Sequence, residues 1–184
     1  MKLAVLTFLG ALWASFAASQ TLNFPSNATL LRETSSAVDS YAMPIGPWVA
    51  GGLYVKTEEG HLTQQAWRIS ATGLTSLQLV RPVREQLRND GFEILFECKD
   101  QACGGFDFRF STPVLPPPDM QVNLGDFRYL AASRDTDEGT EIISIIASRS
   151  ANAGFVQVTR VGAAAETVSE ATAQTLRASP SSVP

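Results

Sequence analysis

The sequence predicts an α+β fold, in which a mostly antiparallel β-sheet is covered by one principal amphipathic helix at about residues 74–90. Two observations predict it. Apolar residues recur every three to four positions between 74 and 87, as in a helix that buries one face. After residue 126, three β-rich runs follow one another with short turns between them, as in an antiparallel meander.

The two ends of the 184-residue chain differ from its middle. Residues 1–19 begin with Lys2, continue as an apolar run and end in small residues, which is the pattern of a cleaved signal peptide. Residues 163–184 are rich in Ala, Ser, Thr and Pro, which is typical of a linker or tail. We therefore expect a single α+β domain at 22–162, which is an ordinary domain size.

Charge argues against a nucleic-acid partner, and hydropathy argues against a transmembrane span. The net charge is -4, with 14 basic and 18 acidic residues, whereas nucleic-acid-binding domains usually present a basic surface. The apolar run near the N-terminus is shorter than the roughly 20 residues that a spanning helix needs. We expect no nucleic acid and no transmembrane span in the mature chain.

The first half of the domain is predicted to contain a hairpin and then the helix. Residues 53–57 and 62–71 alternate apolar and polar side chains around a turn at 58–60. Gly91 suits the left-handed position that ends a helix. Pro82 leaves the start of the helix open between about 75 and 81, because proline fits a first turn but kinks a helix interior.

The strands predicted after the helix alternate clearly. Phe92, Ile94, Phe96 and Cys98 share one face of a strand at 92–98, and residues 106–110 alternate in the same way. The proline-rich loop 112–126 cannot lie inside a sheet, because proline lacks a backbone donor. The meander strands are expected at 127–134, 141–149 and 155–161. Paired isoleucines predict that the middle one is covered on both faces, one of them by the helix.

Cys98 and Cys103 are the two cysteines, and an even count in an exported chain predicts a disulfide. A redox-active pair is less favoured, because the spacing is not Cys-x-x-Cys. A metal site would need two more ligands, for which only His61 and carboxylates are available. We expect no metal and no cofactor.

Three aromatic side chains form the candidate binding face. Phe106, Phe108 and Phe110 line one side of a predicted strand. Such a stripe binds ligands or sugars in some proteins and packs into the core in others. The proline-rich loop beside it is either a contact surface for a partner or a rigid connector.

No catalytic residue is predicted. His61 is the single histidine and is expected at an exposed turn, with no neighbour that sets up a base–nucleophile pair. Asp135, Asp137, Gly139 and Glu141 resemble part of a calcium loop, but the flanking strands favour a polar hairpin turn.

Several short motifs together resemble a known family. They are Gly91–Cys98 (GFEILFEC), Ala102–Gly105 (ACGG) and Tyr129–Ala132 (YLAA), with Arg84–Leu87 (REQL) and Pro44–Pro47 (PIGP) also fitting. They resemble a periplasmic domain of unknown function in Gram-negative bacteria, which in some proteins precedes an OmpA-like peptidoglycan-binding domain. The resemblance covers about residues 24–161 and implies an envelope role without an established catalytic residue.

These features favour a non-enzymatic periplasmic or outer-membrane-associated envelope module, the N-terminal part of an OmpA-family protein. Its expected partner is an unknown envelope protein or cell-wall component, and the segment from 163 would lead to the OmpA-like domain. Two alternatives remain open. One is a small periplasmic hydrolase that uses His61 or a carboxylate, and the other is a ligand-binding or inhibitor module that uses the three phenylalanines.

Overall fold

Six strands and three helices make up residues 22–162, the part of the chain that the computed structural model describes. The strands are β1 (Ala28–Pro44), β2 (Val55–Ile69), β3 (Glu93–Lys99), β4 (Phe127–Thr136), β5 (Gly139–Arg149) and β6 (Gly154–Gly162). The helices are α1 (Ser76–Asn89), α2 (Asp100–Cys103) and α3 (Gly105–Ser111). All six strands form one antiparallel sheet in the order β1-β2-β6-β5-β4-β3. The predicted signal peptide 1–19 and tail 163–184 lie outside the described residues.

The expected α+β class with one principal helix is wrong, because strands dominate the molecule. β1 and β2 have 17 and 15 residues, and both are longer than α1, which has 14. The other helices have only four and seven residues. The structure is therefore an antiparallel β-sheet that carries three small helices. None of the helices within residues 22–162 is long and apolar enough to cross a membrane.

The largest departure from the prediction is the ribbon formed by β1 and β2. No strand was expected at 28–44, where most side chains are exposed and where apolar and polar residues do not alternate. The hairpin predicted at 53–57 and 62–71 is also wrong. Residues 58–60 continue the strand, because β1 pairs with β2 along its whole length, with Gly60 opposite Asp39.

Helix α1 lies where the periodicity placed it, and its start is now defined. Thr75 accepts a hydrogen bond from the Gln78 backbone N–H, while the Gln78 side chain accepts from the Thr75 N–H. This capping box fixes the N-terminus ahead of Pro82, which lies in the helix interior. Gly91 follows the C-cap at a φ of 82°. The earlier of the two predicted starts is correct.

The meander of β4, β5 and β6 is confirmed, and both of its faces are buried. On one face α1 packs against alternate residues of the three strands, which include Leu130, Ile143, Ile145, Val156 and Val158. The opposite face buries Phe127, Tyr129, Ile142, Ile146 and Phe155. The prediction that the isoleucine-rich strand is central and covered twice is therefore correct.

The end of β1 helps to cover the second face. The Tyr41 hydroxyl lies 2.8 Å from the Ser144 hydroxyl on β5, although β2 and β6 separate the two strands in the sheet. The Tyr129 hydroxyl donates to the Pro44 carbonyl at 3.1 Å. These contacts require the sheet to curl over its own face. Burial raises the pKa of both phenols, which keeps them neutral.

Buried polar side chains hold the proline-rich loop on the same face. Gln157 of β6 accepts a hydrogen bond from the Leu115 N–H at 2.8 Å and donates to the Pro113 carbonyl at 3.2 Å. Ser148 of β5 accepts from the Asn123 N–H at 2.8 Å. As predicted, the loop lies outside the sheet, and it forms part of the cover.

We predict that Gly154→Ala destabilises the protein by about 1–3 kcal/mol, the usual cost of overpacking. A Cβ at Gly154 would lie 2.5 Å from Cδ2 of Leu79 on α1. Urea denaturation measures the change. Gly125→Ala is the control, because its Cβ would meet nothing closer than 3.5 Å. Adding Leu79→Ala should cost less in the Gly154→Ala background than in the wild type, and full additivity would contradict the contact.

Candidate functional site

The disulfide predicted from the two cysteines is present. Cys98 ends the buried part of β3, Cys103 ends α2, and their Cα atoms are 5.2 Å apart. Both side chains are buried in the core on the face of the sheet opposite α1. A bridge that closes so short a loop contributes about 2 kcal/mol through chain entropy. Its main structural effect is to fold the chain sharply back after β3.

Gly104 links the disulfide to the segment that follows β1. Its φ is 115°, a conformation that other residues rarely adopt, and an added Cβ would lie 2.7 Å from Cβ of Trp48. The Trp48 N–H donates to the Cys103 carbonyl at 2.8 Å. The disulfide, Gly104 and Trp48 therefore fix the direction in which α3 leaves the core.

Helix α3 changes the candidate binding face. Residues 106–110 were predicted as a strand, but they lie within the helix Gly105–Ser111. Phe106 and Phe110 are four residues apart and share its outer side, with 60% and 63% of their surface exposed. Phe108 lies on the opposite side and is fully buried. The predicted face of three rings is therefore wrong, and two of the rings form a surface.

The error has a physical cause. Over five residues, the pattern of Phe at every second position fits a strand, and it equally fits a helix that has one ring inside and two rings outside. The structure adopts the helix. Gly104, in the left-handed conformation directly after the disulfide turn, is the N-cap of α3. Phe108 then packs against Tyr129, with ring centroids 5.0 Å apart, which anchors α3 to the sheet.

The exposed rings form a compact surface, which we call the aromatic corner (Phe106, Arg109 and Phe110). The centroids of Phe106 and Phe110 are 4.4 Å apart. The Arg109 guanidinium lies 5.3 Å from the Phe110 centroid. Burial lowers the pKa of Arg109, but an arginine keeps its charge in proteins. Within residues 22–162, Arg109 forms no ion pair.

The single histidine does not lie at a turn. His61 is in β2, and its Nε2 is 2.8 Å from the Ser35 hydroxyl on β1. Sequence reasoning missed this serine–histidine pair because β1 itself was not predicted. A catalytic triad also needs a carboxylate that orients the imidazole. In the described part of the chain, the His61 ring has no carboxylate partner.

The calcium-like motif is a hairpin turn between β4 and β5, as expected. Its Glu141 carboxylate bonds Arg134 at 2.6 Å and Arg160 at 3.2 Å. Asp135 accepts a hydrogen bond from the Thr140 hydroxyl. Between residues 22 and 162, no three His, Cys, Asp or Glu side chains are grouped closely enough to hold a metal ion.

Comparisons with known proteins identify no family. No protein-family model matches the chain, and no curated protein sequence matches it. The likeness to OmpA-associated domains therefore rests on the short motifs alone.

We predict that the three phenylalanines differ sharply in their effect on stability. Phe108→Ala should lower the free energy of unfolding by about 3–5 kcal/mol, because it empties a core position. Phe106→Ala and Phe110→Ala should each cost about 1 kcal/mol at most, since they remove only a surface ring contact. Urea denaturation measures all three. Equal losses would contradict the division of the rings between core and surface.

Proposed function

We propose that this chain is a non-enzymatic module of the bacterial envelope, exported to the periplasm, and that it binds a partner protein through the aromatic corner. The observation that carries the proposal is the pair of exposed rings, Phe106 and Phe110, on a helix fixed by the Cys98–Cys103 disulfide. Attachment to an OmpA-like anchor, and hence to the outer membrane, is the part of the proposal that rests on the resemblance.

Export is supported by two independent features. Residues 1–19 have the pattern of a signal peptide. The disulfide is compatible with an exported protein, because disulfides persist in the oxidising periplasm and are rare in the cytosol.

The composition of the aromatic corner supports a protein partner. Aromatic residues and arginine are enriched in the buried centres of protein interfaces. Arg109 projects a positive charge beside the rings. The complementary surface is therefore an apolar pocket with a carboxylate at its rim.

The rigidity of the aromatic corner supports the same proposal. Phe108 anchors α3 to the sheet, and Gly104 packs against Trp48. A preordered surface loses little conformational entropy on binding. The rings are thus ready for contact without a folding step.

Photo-crosslinking in living cells tests the proposed contact. A photo-reactive phenylalanine analogue at position 106 should give a discrete adduct, and Phe110→Ala or Arg109→Gln should reduce it. The same analogue at Val38, which is 74% exposed on β1, is the matched control and should give none. An adduct equally strong from position 38, or none from position 106, would contradict the proposal.

Fractionation of the same cells tests the location. Release by osmotic shock indicates a free periplasmic protein, and sedimentation with the outer membrane indicates the anchored form. Retention with cytosolic proteins would overturn the envelope proposal whatever the crosslinks show.

A hydrolase is the second candidate, favoured by the 2.8 Å contact between Ser35 and His61. A histidine at that distance can accept the hydroxyl proton of a nucleophilic serine. A fluorophosphonate probe should then label Ser35 in the wild type and fail to label His61→Ala. Ser36→Ala is the control, because its hydroxyl bonds the Val38 carbonyl instead. An unlabelled wild-type protein would exclude a serine hydrolase of this type.

A further inference from the structure

A pocket of about 390 Å³ opens beside the start of α1, and the residues of the aromatic corner do not line it. Its wall includes the first helical residues Ser76 and Leu77, together with Asp126 from the end of the proline-rich loop. Three basic side chains from three strands complete it, and they are Lys99 of β3, Arg128 of β4 and Arg149 of β5. This is a concentration of positive charge in a chain whose net charge is -4.

Asp126 neutralises one of these cations. Its carboxylate bonds Nε of Arg149 at 2.5 Å and accepts from the Ser76 hydroxyl at 2.6 Å. Burial raises the pKa of Asp126, but these hydrogen bonds and the charges of Arg149 and Lys99 outweigh it, so the pKa lies below its usual value. Asp126 and Arg149 thus form a fixed ion pair at the pocket wall.

Arg128 is left without a close counter-ion. The nearest carboxylate oxygen belongs to Glu97 and is 4.0 Å away. Both oxygens of Glu97 already bond Arg84, each at 2.8 Å. The Nε of Arg128 is buried without a hydrogen-bond partner within the described residues, as are those of Arg84 and Arg134, but those two have carboxylate partners at 2.8 and 2.6 Å. Buried charged groups normally have close partners. The guanidinium of Arg128, which lines the pocket, lies 4.0 Å from its nearest carboxylate oxygen and is therefore incompletely paired.

The other groups in the wall add donors. The side chain of Lys99 is 53% exposed, and its ion pair with Asp100 is loose, at 3.5 Å. The first N–H groups of α1 have no acceptor inside the helix, and Thr75 satisfies only that of Gln78. The first turn contains no acidic residue that would use the N–H groups of Ser76 and Leu77.

We propose that this pocket binds the phosphate group of a small phosphate monoester, with Arg128 and Lys99 as its charged donors and the Ser76 and Leu77 N–H groups completing the set. A phosphate monoester carries close to two negative charges and three terminal oxygens. It therefore matches two incompletely paired cations better than a single carboxylate does. The pocket is larger than a phosphate ion, which leaves room for the esterified group.

Amide NMR titration with inorganic phosphate, at constant ionic strength against chloride, tests the proposal on the purified mature protein. We expect saturable shifts of the Ser76, Leu77 and Gly125 amides. Lys99→Gln should weaken binding at least tenfold, which corresponds to about 1.4 kcal/mol, because it removes a charge-assisted hydrogen bond to the phosphate. Arg128→Gln should weaken it at least as much. Lys56→Gln on β2 changes the net charge equally and should bind as the wild type does.

The variants and the ligands of this titration together support or overturn the proposed phosphate site. Lys99→Gln removes a half-exposed side chain, so it keeps the test valid if Arg128→Gln does not fold. The proposal is overturned by shifts that do not saturate, by equal weakening in Lys56→Gln, or by acetate binding as tightly as phosphate. Saturable binding of glycerol phosphate at or above the affinity for inorganic phosphate would support a monoester as the ligand, and weaker binding of glycerol phosphate would overturn it.

Discussion

Strand β5 is buried on both faces, so each face of the sheet needs its own cover. Ile143 and Ile145 lie under α1, and Ile142 and Ile146 lie on the opposite side. Burying such side chains stabilises the fold by about 1.5–3 kcal/mol each, provided that water is excluded from both faces. One amphipathic helix suffices for the first face. The second face is covered by the end of β1, by α3 and by the proline-rich loop, and each of these segments must be held in place by specific contacts.

Covalent and polar contacts hold these segments in place. The disulfide turns the chain back after β3, and Gln157 bonds the proline-rich loop to β6. The Tyr41–Ser144 contact brings the end of β1 over the same face. Each proposed site lies on the outer side of a segment that covers one face of the sheet. The aromatic corner is the outside of α3, whose inner residue Phe108 fills the core, and the phosphate pocket lies at the exposed start of α1.

Local signals made much of this fold predictable from the sequence. Helix α1, the position of strand β3, the meander and the disulfide follow from periodicity, turn residues and the cysteine count. The common face predicted for Phe92, Ile94, Phe96 and Cys98 is wrong, because a register shift between Ile94 and Phe96 places the first two against α1 and the last two in the opposite core. Strand β1 was unpredictable for a physical reason, since its side chains show no apolar alternation and the strand is defined by its pairing with β2. The same reason hid the Ser35–His61 pair. The basic pocket unites residues from 75 to 149, and spacing along the chain carries no signal for such a group.

The central claim is that the disulfide holds the cover of the second face and, with it, the aromatic corner. Amide hydrogen exchange, compared between the wild type and a Cys98→Ala/Cys103→Ala variant, tests it most directly. We expect faster exchange in α2, in α3 and at Trp48, whose N–H bonds the Cys103 carbonyl. Protection in α1 should be unchanged. Equal acceleration in α1 and α3, or unchanged protection in α3, would contradict the account.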